Sequence, residues 1–395
     1  MIYLDNNATT QPSEAVMEAV ARAQRELWQN PSSIHRGGQA ARQAVELARA
    51  SCAKLINAKA REIVFTSGGT EAIDLAIRGV LAARRTNTHA TLVTSKLEHA
   101  AIRDLAEELE RTKQAQVKWL ELTRDGRIDV NLLHVIDASA TLVAVQWANN
   151  ETGAVQPLGA IAKRCKEVGV PLLVDGTQWV GKLPTDVTRV DDVSEPFEML
   201  VVSPHKFHGP KGVGFLWSRS GVRMRPQILG TQELGRRGGT ENVAGIIGAG
   251  VACEEAAAFV QDAAARERVR ELRDVFERTV LEAVPSARVN GPTGDASARL
   301  WNTTNIGFPG LEAEALLLLL SERGVAASAG AACSSGSLDP SPVLLAFGVS
   351  EEYAHGSLRF SLRKHTTRAE VDDAAKIVIE CVRRLDASWA SVKTT

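Results

Sequence analysis

Between residues 60 and 217 the chain alternates two hydrophobic rhythms. Short apolar, β-rich runs occur at 62–66, 90–95, 117–122, 141–148, 170–174, 199–203 and 214–217. Each has the length and composition of a strand. Segments with apolar positions at helical spacing lie between several of them, at 72–84, 100–111 and 158–168. The alternation predicts an α/β domain around a mostly parallel sheet of seven strands. After Gly239 the rhythm changes. An Ala- and Glu-rich helix runs from Val243 into the 280s, interrupted at most near 259–262. A strand at 302–307, a helix at 311–323 stopped by Gly324 and a strand at 357–361 follow. The closing helix opens on a Thr367…Glu370 capping box and carries Val371, Ala374, Val378, Val382 and Leu385 on one face. The change predicts a large domain over 15–255 and a smaller α/β domain built from 1–14 and 256–395.

Composition narrows the function without choosing it. A chain of 395 residues is long enough for two cores. A formal net charge of −1 gives no electrostatic footprint for nucleic acid or an anionic membrane. The 5 cysteines are scattered without framework spacing, which points to a reducing compartment. No basic-then-apolar leader opens the chain, and the apolar run 313–320 is too short to span a bilayer. A cytoplasmic protein is expected.

The candidate chemistry collects just past the strands, where open α/β sheets bind ligands. The residues there are Ser67-Gly-Gly-Thr-Glu71, Glu98-His99, Asn149-Asn150-Glu151, Asp175-Gly-Thr-Gln178 and Ser203-Pro-His205-Lys206. Any one of these alone reads as a cap or turn; together they predict one crevice. Ser-Gly-Gly-Thr at a helix start suits a phosphate, and equally suits simple capping. No GxGxxG follows the first strand, which disfavours a dinucleotide fold. Lys206, after an apolar strand, is either a solvated surface charge or a Schiff-base lysine. Asp175 ends a strand too apolar for a surface carboxylate and is either a helix cap or the acidic partner of a pyridine nitrogen. His99 is either a polar turn residue or a site residue. His205 and His208 have H-x-x-H spacing but no further ligands, so no metal centre is predicted. Four cysteines, Cys52, Cys165, Cys253 and Cys381, sit at core-like helical positions. Cys333 instead lies in SAGAACSSGS, among small residues that leave it reachable.

These stretches resemble the NifS/IscS-type cysteine desulfurases, pyridoxal phosphate enzymes of fold type I and the class V aminotransferase family. The matching motifs are YLDNNATT (3–10), NPSSIH (30–35), TSGGTE (66–71), WANNETG (147–153), His205-Lys206, RGGTEN (237–242), Cys333 with its serines, and SLRFS (357–361). The resemblance implies that Lys206 would hold pyridoxal 5'-phosphate and move the substrate Cα proton. Asp175 would keep the ring nitrogen protonated, Gln178 would contact the phenolic oxygen, and His99 would stack on the ring and assist proton transfer. Thr70, Ser203 and His205 would bind the phosphate, with Gly69 permitting close approach. Thr240 would reach the phosphate of a second subunit, which implies a homodimer. Asn150, near cofactor and substrate alike, and Arg359 would hold the carboxylate of L-cysteine. Cys333 would take the sulfur as a persulfide and deliver it to an iron–sulfur scaffold or another acceptor protein. Two roles stay open for Cys333: persulfide carrier alone, or a carrier that is also a transient iron–sulfur ligand.

The sequence departs from the family pattern in three places. Pro204 replaces a small residue and removes a backbone donor. Ala331-Ala332 precede Cys333 where a serine and an alanine are usual. The segment 188–198 is longer than expected and reads as an exposed acidic loop. Among other class V reactions, transamination, selenocysteine lysis and cysteine-sulfinate lysis compete; the reachable Cys333 favours desulfuration, because transamination does not need it and selenium elimination need not use it. A non-catalytic docking platform for sulfur carriers would need none of Lys206, Asp175, His99 and Cys333.

Overall fold

Seven strands form the central sheet: β1 (Ile63–Thr66), β2 (Ala90–Thr94), β3 (Ala115–Trp119), β4 (Leu142–Gln146), β5 (Leu172–Asp175), β6 (Met199–Val202) and β7 (Gly214–Ser218). Their order is β1-β7-β6-β5-β4-β2-β3, and only β7 runs antiparallel to its neighbours. The computed structural model describes residues 1–84, 89–330 and 339–392. Both faces of the sheet are covered, which is why the strands read as apolar runs rather than alternations. Ile63, Phe65, Val143, Val145 and Val174 join one core with helices α1 (Glu14–Glu26) and α2 (Arg36–Leu55). Val64, Leu92, Ala144, Leu173 and Val201 point the other way, into a core with α3 (Gly69–Ala83) and α4 (Ala100–Arg111). Helices α5 (Leu158–Val168) and α6 (Val243–Gln261) complete the first face.

Helix α7 (Ala263–Ala283) begins directly after α6. Asp262 ends one helix and caps the next, its carboxylate accepting from Ala265 N at 2.9 Å. The second unit is an antiparallel sheet of β8 (Arg288–Val289), β9 (Thr303–Gly307), β10 (Ser328–Ala329) and β11 (Ser357–Ser361), in the order β8-β9-β11-β10. Helices α7, α8 (Ala313–Glu322) and α9 (Arg368–Val392) cover it. Its core gathers Leu4, Val269, Phe276, Ile306, Leu316, Phe360 and Val378. We take these two cores as two domains. Ala256 packs in the first and Phe259 against the second, so the chain changes over within the last turns of α6.

The segment 188–198 corrects an expectation. Its acids Asp191 and Asp192 are exposed, but it is a short hairpin pairing Arg189–Val190 with Val193–Ser194, not a free loop. Phe197 is fully buried between Trp147 and Trp217, with edge-on ring contacts at 5.8 and 5.9 Å. The apolar residues of the insertion anchor it to the large core. Helix α6 is long and apolar enough, by length and composition alone, to cross a membrane. Here it is a core helix: Ile246, Ala249, Ala252, Cys253 and Ala256 are buried in the large core.

Candidate active site

At the carboxyl ends of β1, β2, β4, β5 and β6 lies a cavity of about 310 Å³. Gly69, Thr70, His99, Asn150, Asp175, Gln178, Ser203, His205, Lys206 and Arg359 all line it. Arg359 comes from β11 of the smaller sheet. Thr240 does not line it; it is exposed, on a segment tied to α3 by an Arg237–Glu71 ion pair at 2.7 Å. Cys333 falls outside the described residues.

Local sequence explains each placement. The chain leaves β1 through Gly68 and packs so tightly over the start of β7 that a Cβ on Gly214 would lie 2.6 Å from the Gly68 carbonyl carbon. This brings Gly69 against Ser203, where a Cβ would collide with the Ser203 hydroxyl and lie 3.3 Å from the Thr177 hydroxyl. The result is a bare helix N-terminus flanked by hydroxyls. His99 caps α4, its Nδ1 accepting from Ala101 N at 3.1 Å, so in the neutral ring Nε2 carries the proton. Burial lowers the His99 pKa, with Lys206 and Arg103 reinforcing that and Asp175 opposing it. Asp175 ends β5 almost fully buried and accepts from Thr177 N at 2.9 Å. Pro204 opens a single 3-10 turn, Pro204–Lys206, that lifts His205 and Lys206 to the cavity. Burial, then the Lys206 and Lys211 cations, lowers the His205 pKa to about 4, and its Nδ1 lies 3.1 Å from the Thr9 hydroxyl. His208 instead turns its Nδ1 to the Gln11 carbonyl at 2.9 Å, so the two histidines serve different segments.

Residues 5–10 connect the two sheets across this site. Asn6 N donates to Ser361 O at 3.2 Å, and Thr10 N donates to His205 O at 2.9 Å. Between them, Lys206 Nζ donates to the carbonyls of Asn7 and Ala8 at 2.9 and 2.7 Å. Arg359, 1 % exposed, donates to Asp5 at 2.7 Å and to the Asn150 carbonyl at 3.1 Å. Two buried atoms here have no partner among the described residues: Arg359 Nε, a donor, and Asn150 Oδ1, an acceptor. A ligand bearing both a carboxylate and an N–H donor would satisfy the pair.

Several cavity residues had no role from the sequence. Asn7, Glu98, Arg103 and Glu151 line it, and Lys182 lies directly behind Gln178. Glu151 is buried, which raises its pKa, and accepts from the Ser341 hydroxyl at 2.6 Å. The motif WANNETG contained Glu151 and the motif YLDNNATT contained Asn7, whereas nothing in the sequence marked Lys182.

The family model described as Aminotransferase class-V matches residues 2–373. Cysteine desulfurase 1 of Trichormus variabilis is 43% identical over 389 residues, covering 98% of this chain and 94% of its own. Cysteine desulfurase NifS of Azotobacter vinelandii is 41% identical over 387 residues, 97% of this chain and 93% of its own. A solved structure described as a NifS-like protein superposes with a TM-score of 0.87 at 32% identity, covering 97% of this chain and 99% of that one. The strand ends, the cavity and the full-length match agree, and the chain belongs to the aminotransferase class-V family, among its NifS/IscS-type cysteine desulfurases.

Proposed function

We propose that this protein is a pyridoxal phosphate-dependent cysteine desulfurase that converts L-cysteine to L-alanine and carries the sulfur as a persulfide on Cys333. The observation that carries this reading is the convergence of Lys206, Asp175, His99 and Arg359 on one cavity, in a chain similar over nearly its whole length to proteins named cysteine desulfurase.

The residues present fit the cofactor. The open α3 N-terminus, with Gly69 bare and the hydroxyls of Thr70 and Ser203 beside it, suits a phosphate. The buried Asp175 carboxylate suits a protonated ring nitrogen, and Gln178 the phenolic oxygen. Lys206 would hold the group through Nζ. Bound pyridoxal phosphate supplies an electron sink for bonds broken at the substrate Cα and Cβ. Lys206 then moves the Cα proton, while the neutral His99 donates a hydrogen bond. Arg359 and Asn150 take the substrate carboxylate, orienting the cysteine side chain. The Cys333 thiolate attacks the substrate sulfur: an S–S bond forms, the C–S bond breaks with its electron pair left to the carbon skeleton, Cβ takes up a proton, and the skeleton leaves as L-alanine. Atoms balance without an external oxidant.

A homodimer is part of the same reading. Thr240 shares its segment with Ile228, Leu229 and Leu234, which are 45%, 82% and 78% exposed. Exposed apolar side chains beside a residue expected to serve another subunit suit a self-association surface. The sulfur would pass to an iron–sulfur scaffold or related acceptor protein, in the cytoplasm.

The test is product analysis with L-cysteine, L-cysteine sulfinate and L-selenocysteine, each with a thiol reductant. Desulfuration predicts equimolar alanine and sulfide from L-cysteine. Turnover of the sulfinate or selenium substrate with no alanine from L-cysteine would replace this reading by the corresponding lyase.

A further inference from the structure

Lys182 is buried, 4 % exposed, and among the described residues it is paired with no carboxylate. Burial, then the Lys206 and Arg359 cations, pushes its pKa well below that of an ordinary lysine. Charged or neutral, the amine carries at least two N–H groups. The geometry uses two: Nζ donates to Gln178 Oε1 at 2.6 Å and to Asn7 Oδ1 at 2.8 Å.

The consequence falls on Gln178. A glutamine amide can turn end for end, exchanging its donor and acceptor. Here two neighbours oppose it. A turn would break the Lys182 hydrogen bond to Oε1 at one end, and at the other it would set the amide oxygen against the Asn7 carbonyl, which now accepts from Nε2 at 3.0 Å. The nitrogen is thereby held with its second hydrogen left for a group in the cavity that Gln178 lines. Asn7 is the second target. Its side-chain oxygen takes Lys182 and Asn302 Nδ2 (3.3 Å), its amide donates to the Thr303 hydroxyl at 2.9 Å, and its carbonyl takes Lys206.

We propose that Lys182 is a positioning residue of the cofactor pocket: it locks the Gln178 amide with its nitrogen as the donor to the phenolic oxygen of pyridoxal phosphate, and it steadies Asn7, whose carbonyl holds Lys206. This rests on the cofactor reading given above.

A donor on the phenolic oxygen favours its deprotonated form, so losing that donor moves the spectroscopic titration of the bound cofactor to higher pH. The experiment titrates the visible absorption of the holoprotein for wild type, Lys182→Met, Gln178→Leu and the double variant. Asp175, His99, Lys206 and Arg359 remain in all four. The expected shift for Lys182→Met is upward by about one pH unit, the effect of one hydrogen bond to a charged acceptor. The double variant should titrate no higher than Gln178→Leu alone, because Lys182 acts through Gln178. A purely structural role would lower thermal stability while leaving the titration unmoved. Should Lys182→Met fail to fold by circular dichroism, Lys182→Gln, which retains a shorter donor, should show a smaller shift of the same sign. A cofactor-loaded Lys182 variant titrating at the wild-type midpoint overturns the proposal. Wild type that takes up no pyridoxal phosphate overturns the cofactor reading itself, a different result.

Discussion

At Glu98, burial and the nearby Asp175 carboxylate push the pKa up to about 8, against hydrogen bonds from the Ser95 hydroxyl and Gln146 N at 2.6 Å each. The folded protein therefore keeps a proton there that the unfolded chain releases at ordinary carboxylate pH. The stability tied to that proton is full below about pH 4.5 and is lost as pH rises toward about 8. Glu98→Gln mimics the protonated form, donating to Ser95 and accepting from Gln146. Relative to wild type it should gain stability between about pH 5 and pH 8, by up to roughly 4–5 kcal/mol. Thermal melts of both proteins across this range check it, and parallel curves would show that Glu98 is ionised in the fold. Lys206, Asp175, His99 and Arg359 were legible in the sequence because a strand end or a motif marked each one. Glu98 was visible only as the neighbour of His99. Lys182 carried no local mark, and Asn7 was marked only by its place in YLDNNATT. Their roles come from burial and from partners far away in the chain, such as Asn302 for Asn7, which spacing cannot reveal.

The large-sheet strands and helices α4 and α5 were legible to within a few residues, because a sheet covered on both faces leaves uninterrupted apolar runs. The capping box at Thr367 forms as read: Thr367 N donates to Glu370 at 2.8 Å and Glu370 N to the Thr367 hydroxyl at 3.2 Å. The long helix after Gly239 is two helices, because Asp262 stops one and starts the next. Periodicity could not show how closely helices approach. At the crossing of α2 and α6, a Cβ on Gly250 would lie 2.8 Å from both the Cα and Cβ of Ala48. Nearby, Cys253 Sγ contacts Cys52 Sγ at 3.6 Å, both thiols buried. The obstacle at Gly250 includes backbone and cannot step aside. Gly250→Val should destabilise the protein by about 1–3 kcal/mol through overpacking. Urea unfolding would read this as a lower midpoint at unchanged slope, and an unchanged midpoint would mean that the helices separate freely.

On the scale of the molecule, two cores meet over a site that belongs to neither alone. The large sheet supplies Lys206, Asp175 and His99, the smaller sheet supplies Arg359, and residues 5–10 bridge the two. In the proposed function this arrangement would leave the substrate carboxylate to the smaller unit and the cofactor to the larger. Light scattering should give twice the 42.4 kDa chain mass. Leu229→Asp with Leu234→Asp should reduce that to a monomer, and a dimer surviving both changes would move the interface elsewhere. The central claim concerns Cys333, in a stretch of small residues. The most direct measurement is alanine formed from L-cysteine, with reductant, by cofactor-loaded wild type and Cys333→Ala side by side. Wild type should release alanine over many turnovers, and the variant should bind cofactor and substrate yet release essentially none. Alanine release by Cys333→Ala at the wild-type rate would contradict sulfur transfer through Cys333.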